Sequence, residues 1–335
     1  MKRNQILSFI IVLLSLSCVD DKKANEQIHN DNNKTKKTDS LPSWNDGALK
    51  KAIIAYVKDV TDSTSKDFIP VADRIATFDN DGTLWAERPY VQQLFSFYMA
   101  KKMVAKNPAL AKKQPFRAVM GNDMNYFVKG GDKAFIELVV ATHTGMAEDE
   151  FESNVHDFFT NNTYPKWNVP FKQITYAPQI EFLNYLRANG FKTFMVTGGT
   201  IEFVRAISQE YYGIPKSQVV GTSFQYVFTD SNRTIWRKPA LGSFDDKAGK
   251  PVNIQLHIGQ RPVVACGNEG GAGDIAMLEY CQGSKYHSFQ MIVNHDDSTR
   301  EFYYQEKDSA SLKAAAKNNW HVASMKNDWK AIFVK

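Results

Sequence analysis

Three times in this chain a short apolar run ends in a polar cluster and gives way to helical periodicity. Arg74–Phe78 runs into Asp79. Lys192–Val196 runs into Thr197-Gly198-Gly199 and then into helical spacing over Ile201–Tyr212. Pro262–Cys266 runs into Gly267–Asp274 and then into Ile275–Cys281. Strand, polar loop and helix in repetition imply βαβ units. The expected fold class is therefore α/β, a Rossmann-like, mostly parallel sheet with helices on both faces. In such sheets ligands gather at the carboxyl ends of the strands, so the three clusters point to one site.

Other segments fill in the architecture. Leu49, Ala52, Ile53, Tyr56, Val57 and Val60 recur at helical spacing. Val91–Ala105 and Lys133–Thr142 read as helices, and Ala177–Ala188 as a helix stopped by Gly190. Val219–Phe228 and Thr234–Trp236 read as a hairpin around Asp230–Asn232, Val252–Ile258 as a helix and Phe289–Val293 as a strand. Hydrophobic residues make up 43% of the 335, enough for a real core, which excludes a wholly disordered chain. Three cysteines are too few for a disulfide scaffold, and Cys266 and Cys281 read as packed thiols. The net charge of +5 comes without a dense basic stripe interleaved with aromatics, so no nucleic-acid partner is expected.

The N-terminus reads as a targeting segment. Lys2 and Arg3 precede an apolar stretch from Ile6 to Leu16, too short to span a bilayer and suited to a secretory signal. Cys18 after Ser17 resembles a bacterial lipoprotein signal, although Ser15 stands where Leu is usual; Ser15-x-Ser17 also fits ordinary cleavage. The expectation is an extracytoplasmic protein, lipidated at Cys18 and facing the periplasm, with free secretion as the alternative. Residues 19–45 are polar and without periodicity and read as a tether. The expected organisation is a signal at 1–18, a tether at 19–45, a core domain at 46–85 and 174–335, and a helical insert at 86–173.

Asp79 and Asp81 stand two apart in Asp79-Asn80-Asp81-Gly82-Thr83, directly after a strand, so a curled loop can aim both at one centre. Asp79 is suited to attack phosphorus, and Asp81 to protonate a leaving alkoxide and then deprotonate water. Two carboxylates repel a phosphate, so the site calls for a divalent cation, and Mg²⁺ suits oxygen ligands. A calcium loop would want Glu at its twelfth position, where Tyr90 stands. Thr197 and the Gly198 and Gly199 amides, opening a helix, can cradle a phosphate, although Thr-Gly-Gly is also an ordinary turn. A lysine should neutralise charge; among Lys238, Lys247 and Lys250, the last precedes a helix leading to the third strand and is favoured. Asn268 and Asp274 offer oxygen ligands from the third loop, where Asp274 also fits a helix N-cap.

Taken in this order, the four motifs resemble the haloacid dehalogenase-like superfamily, phosphoserine-phosphatase-like branch, over roughly residues 70–295. Asp79–Thr83 matches its Asp-x-Asp-Gly-Thr motif, Thr197 its second motif, Lys250 its third and Gly267–Asp274 its fourth, with Met277-Leu278 following. The resemblance implies Asp79 as nucleophile, Asp81 as general acid and base, and Thr197, Gly198 and Lys250 as phosphate holders. It implies Mg²⁺ held by Asp79, the Asp81 carbonyl and a fourth-motif residue. That ligand lies between Asp274 and Asn268, because Asn268 stands where many members have Asp. Asp81 favours phosphate-ester over carbon–halogen cleavage, and residues 86–173 look like the superfamily's helical cap, which suits a small substrate. Glu87 and Arg88 either touch a charged substrate group or form a surface ion pair.

The expected activity is an extracytoplasmic, Mg²⁺-dependent phosphatase acting on a small phosphomonoester through an aspartyl-phosphate. Phosphoserine, phosphocholine-like head groups, sugar phosphates and nucleotides stay open. The alternatives are a lipid-anchored binding or accessory protein of the same fold and a phosphotransferase.

Overall fold

A computed structural model describes residues 39–270 and 272–335. The chain begins with α1 (Ala48–Thr61) and β1 (Ile75–Phe78), followed by α2 (Val91–Lys106), α3 (Phe116–Met120), α4 (Met124–His143) and α5 (Glu148–Asn161). It continues with α6 (Ala177–Ala188), β2 (Lys192–Thr200), α7 (Ile201–Tyr212), β3 (Val219–Thr229), β4 (Thr234–Ser243) and α8 (Gly249–His257). It closes with β5 (Val264–Asn268), α9 (Ile275–Gln282), β6 (Phe289–Asn294), α10 (Ala310–Asn318) and β7 (His321–Ser324). The seven strands form one sheet in the order β4-β3-β2-β1-β5-β6-β7. Every pair is parallel except the β3–β4 hairpin at the edge.

The period of two along each strand explains the three layers. Met195, Cys266 and Met291 face one core with α1, α6 and α7. Their neighbours Val196, Ala265 and Ile292 face the other, with α8, α9 and α10. Both faces of the central strands are covered, so β1, β5 and β6 are buried along nearly their whole length rather than at every second residue. β1 sits centrally with β2 and β5 on either side. The chain order reverses there, and a crevice opens at the carboxyl ends of β1 and β5.

Several boundaries differ from expectation. Lys133–Thr142 is the second part of α4, whose chain breaks helical geometry at Gly131 (φ 53°). β4 runs on to Ser243 rather than stopping at Trp236, and its Pro239 is tolerated because β4 is an edge strand. The strand expected from Pro262 begins at Val264. The signal, Cys18 and most of the tether lie outside the described residues. The end of the tether, residues 39–45, belongs to the fold. Leu41 and Trp44 are buried, Trp44 Nε1 donates to Pro178 O, and the Ser43 amide donates to Glu181. Those two apolar side chains within a polar run carry the reason, since each contributes roughly 1.5–3 kcal/mol on burial.

The helical insert is continuous with the core. Its far end has its own cluster around Phe116, Phe127 and Leu138. Its base joins the main one through Phe95 against Phe203 and Phe159 against Tyr211, with ring centroids 5.1 and 5.7 Å apart. Residues 39–335 form one compact unit.

Arg237 of β4 locks the insert to the sheet. It is fully buried, its Nη1 lies 2.8 Å from Glu148 and 3.2 Å from Glu202, and its Nε donates to His143 O at 2.6 Å. Its guanidinium lies 3.9 Å from the Phe151 ring centroid. Removing the cation leaves Glu202 with Arg205 at 3.6 Å and takes the ion pair from the partly exposed Glu148, so Arg237→Leu is expected to cost about 3 kcal/mol. Urea denaturation of the purified variant measures this, and an unchanged midpoint would contradict the role given to Arg237.

Candidate active site

The site grows from the end of β1. The Asp79 amide continues the β1–β5 ladder by donating to Cys266 O at 2.9 Å, which sets the Asp79 side chain in the crevice. The next residues curl back on themselves. Leu84 N donates to Asn80 O, and Gly82 N to Trp85 O. Gly82 has φ of +73°, and a Cβ there would lie 2.0 Å from Asn268 Nδ2, so only glycine fits.

Lys250 joins three strand ends. Its ammonium donates to Asp79 Oδ1 at 2.6 Å, Asp274 Oδ1 at 2.5 Å and Val196 O at 2.9 Å. It lies inside the first turn of α8, not before the helix as expected. Pro251 is tolerated in that turn because the N–H it lacks would find no helical partner there. Burial alone would lower the Lys250 pKa, but Asp274 and Asp79 outweigh it and hold the lysine charged. Burial, then the Asp274 charge, pushes Asp79 well above the usual carboxylate range despite Lys250. Burial also raises Asp81, against the pull of a Trp85 Nε1 hydrogen bond of 2.8 Å to its Oδ1.

The second expected motif differs in shape. β2 runs on through Thr197, Gly198 and Gly199 to Thr200, with a register shift against β3, and α7 starts at Ile201. The two glycines are thus a strand irregularity rather than the opening of the helix. Thr197 is fully buried, and its Oγ1 accepts from the Gly199 amide at 3.1 Å. Gly198 O accepts from Thr222 Oγ1 at 2.8 Å. Gln92 of α2 grips the end of this segment. Its Oε1 accepts from Thr200 N at 3.0 Å, and its Nε2 donates to Thr200 Oγ1 at 2.6 Å. A Cβ on Gly199 would lie 2.8 Å from Gln92 Oε1 and 3.9 Å from Asp81 Oδ2, so the insert, this strand end and Asp81 face one another.

The fourth loop separates its two candidates. Asp274 joins Asp79 through Lys250, and its Oδ2 accepts from Asn268 N at 3.0 Å. The Asn268 side chain instead lies against Gly82 and Gly270 and within 3.4 Å of the Tyr304 hydroxyl. The buried carboxylates of Asp79 and Asp274 and the half-buried one of Asp81 therefore face a single lysine. That deficit of positive charge and those hard oxygen donors fit a divalent cation.

Four neighbours escaped sequence reasoning in whole or part. Trp85 follows the Asp79–Thr83 motif, and nothing local in the sequence marks its bond to Asp81. Gln92 carries no local signal at all. Asp245, raised to about 6 by burial, follows β4 and accepts from Asn253 at 3.0 Å; reading β4 to its true end would have flagged it. Glu87 is not half of a surface ion pair. It is 3% exposed, Arg88 Nε lies 4.0 Å from its Oε1, and the Arg88 guanidinium stacks 4.0 Å over the Tyr304 ring. Cys266 and Cys281 are buried free thiols, as expected.

A family model described as haloacid dehalogenase-like hydrolase matches residues 76–279, from β1 through most of α9. The chain belongs to the haloacid dehalogenase-like hydrolase family. No curated protein matches this hydrolase. Among solved structures, a functionally unknown protein from Anaerococcus prevotii DSM 20548 shares the fold at TM-score 0.55 and 13% identity, over 84% of this chain and 94% of that one. A protein of unknown function from Bordetella pertussis Tohama I gives 0.50 at 14% identity, over 75% and 97%. A phosphoserine phosphatase in a phospho-aspartyl analogue state gives 0.38 at 13% identity, over 76% and 95%. At that last score the likeness carries no argument for this hydrolase.

Burial raises Glu87 to about 8, against a hydrogen bond from Tyr304. The folded protein then holds this proton more tightly than the unfolded chain, so stability falls as pH rises from about 4.5 through about 8. Glu87→Gln removes that loss. Its melting temperature relative to wild type should be higher at pH 8 than at pH 5, and equal differences at both would contradict the assignment.

Proposed function

We propose that this hydrolase is a Mg²⁺-dependent phosphatase that cleaves a small phosphomonoester through an aspartyl-phosphate on Asp79. The observation that carries the reading is the meeting of Asp79, Asp81, Thr197, Lys250 and Asp274 at the carboxyl edge of β1, β2 and β5. Lys250 offsets part of the negative charge that Asp79 and the incoming phosphate bring together. Asp79 Oδ2, whose contact to Thr83 Oγ1 is long at 3.3 Å, is the oxygen available for attack. Its bond to phosphorus forms as the ester oxygen leaves.

Asp81 Oδ1 is tied to Trp85, so Oδ2 handles the proton. Burial favours the protonated form, which suits donation to the leaving alkoxide. The resulting carboxylate then takes a proton from the water that attacks phosphorus, releasing phosphate and regenerating the Asp79 carboxylate and the Asp81 acid. Thr197 and the Gly198 amide are the phosphate holders of this reading. Asp79, the Asp81 carbonyl and Asp274 would hold the metal, with Asn268 less suited because its amide is turned toward Tyr304. Mg²⁺, when bound, supplies charge neutralisation for the carboxylates and phosphate.

The deep burial of Asp79, Lys250 and Asp274 supports a small substrate. The basic, apolar N-terminal sequence supports an extracytoplasmic location with a lipid anchor at Cys18.

Phosphate release from a panel of small phosphomonoesters, with and without Mg²⁺, tests the reading. Release should require the metal, stop with EDTA, and fall to background in Asp79→Asn. A folded protein that binds Mg²⁺ yet releases no phosphate from any compound would favour an accessory protein. Transfer of phosphate to an added alcohol instead of water would favour a phosphotransferase.

Asp81→Asn, which keeps the Trp85 contact but cannot cycle a proton, should lower kcat/KM about 10²–10⁴-fold for alkyl phosphates. It should lower kcat/KM less for p-nitrophenyl phosphate, whose leaving group needs little protonation, because kcat/KM does not include the hydrolysis step common to both substrates. Equal losses of kcat/KM on both substrates would contradict the role of Asp81 as acid toward the leaving group.

A further inference from the structure

The first-motif loop is held on its inner side by its own amides. On its outer side it meets a residue from the far end of the chain. β6 ends at Asn294, and His295 follows on the same sheet edge as Asp79. His295 is fully buried, and its Nε2 lies 2.8 Å from the carbonyl oxygen of Gly82. That oxygen can only accept, so Nε2 carries a proton in this contact. Nδ1 lies 3.3 Å from Glu301 Oε2, and one further proton sits between the two.

Glu301 is itself fixed, because Tyr176 OH donates to its Oε1 at 3.2 Å and the Phe302 amide to its Oε2 at 2.6 Å. The Tyr304 ring stacks on the imidazole at 4.1 Å between centroids, and the Tyr304 amide donates to His295 O. The imidazole is therefore held by a carboxylate on one nitrogen, a ring on its face and a hydrogen bond at its backbone.

We propose that His295, oriented by Glu301, is the positioning residue of the first-motif loop. It rests on the phosphatase reading above for its catalytic consequence. Gly82 is the one residue of this loop with a left-handed backbone, and of its two flanking peptide planes one is fixed from within the loop and the other from outside it. Gly82 N to Trp85 O orients the Asp81–Gly82 plane, and the planar trans amide then points the Asp81 carbonyl the opposite way. His295 orients the next plane, Gly82–Thr83. Together they aim the Asp81 carbonyl and side chain, although His295 itself touches no reacting group.

Two substitutions separate this role from general packing. His295→Gln keeps an N–H near the Nε2 position, and His295→Leu removes it. The measurements are amide hydrogen exchange over residues 80–86 in the full-length protein, and turnover of p-nitrophenyl phosphate with Mg²⁺. In His295→Leu, exchange over 80–86 should rise about tenfold, the effect of one lost hydrogen bond, while exchange in α10 stays unchanged. kcat should fall about 10–100-fold with KM nearly constant, as expected when a reacting group is misplaced. His295→Gln should restore most of both.

Unchanged protection over 80–86 in a folded His295→Leu, or equal losses in the Leu and Gln variants, would overturn the proposal. If His295→Leu does not fold, His295→Asn takes its place, since it can reach Glu301 but not Gly82. Absence of turnover in the wild type would count against the phosphatase reading alone, because the exchange arm reports on the anchor without it.

Discussion

A single ammonium group holds the site together. Lys250 reaches across the crevice to a carboxylate after β1, a carboxylate after β5 and a carbonyl of β2, so three strand ends are spaced by one cation. Taking such charges out of water is costly, and the attraction repays it only where geometry and extra hydrogen bonds are good. The second hydrogen bond of Asp274 to the Asn268 amide and the carbonyl of Val196 supply those extras. The surrounding polar groups are arranged around this pairing. Trp85 takes up one oxygen of Asp81, and Gln92 grips the end of the strand whose Val196 carbonyl Lys250 meets.

The helical insert is tied to this centre from two directions. Gln92 links α2 to Thr200, while Arg237 links α4 and α5 to the hairpin and α7. Aromatic packing at the base of the insert joins these polar clamps to the main core. An insert so fastened lies beside Asp79 and Asp81. Burial there is what raises both carboxyls and lets neighbouring charges act strongly on them.

Legibility in the sequence followed the range of the interactions. The sheet could be read because both-sided burial makes strands continuously apolar, and helices such as Ala177–Ala188 and Ile201–Tyr212 were bounded as the structure bounds them. The Asp79–Thr83 loop could be read because its geometry is local, with amides folding back on Asn80 and Trp85. Lys250, favoured by context, does sit between Asp79 and Asp274, but inside α8 rather than before it, because the first turn of a helix accepts Pro251. The irregularity at Thr197–Gly199 depends on register with β3, which no local pattern encodes. Gln92, Glu87 and His295 come into play only through tertiary contacts. His295 nevertheless follows a strand that had been recognised, and the rule applied at three strand ends would have reached it at a fourth.

The ends of the described chain are clasped together beside this centre. Trp44 pairs with Trp329, Lys330 N donates to Ser43 O, Tyr176 pairs with Phe333, and Val334 N donates to Thr175 O. Thr175 in turn pairs with Trp85, the residue that holds Asp81. The loop that carries Asp79 and Asp81 is thus braced through Thr175 by a segment far along the chain. Order in that loop and packing of residues 329–334 are therefore coupled, and loosening the second would loosen the first.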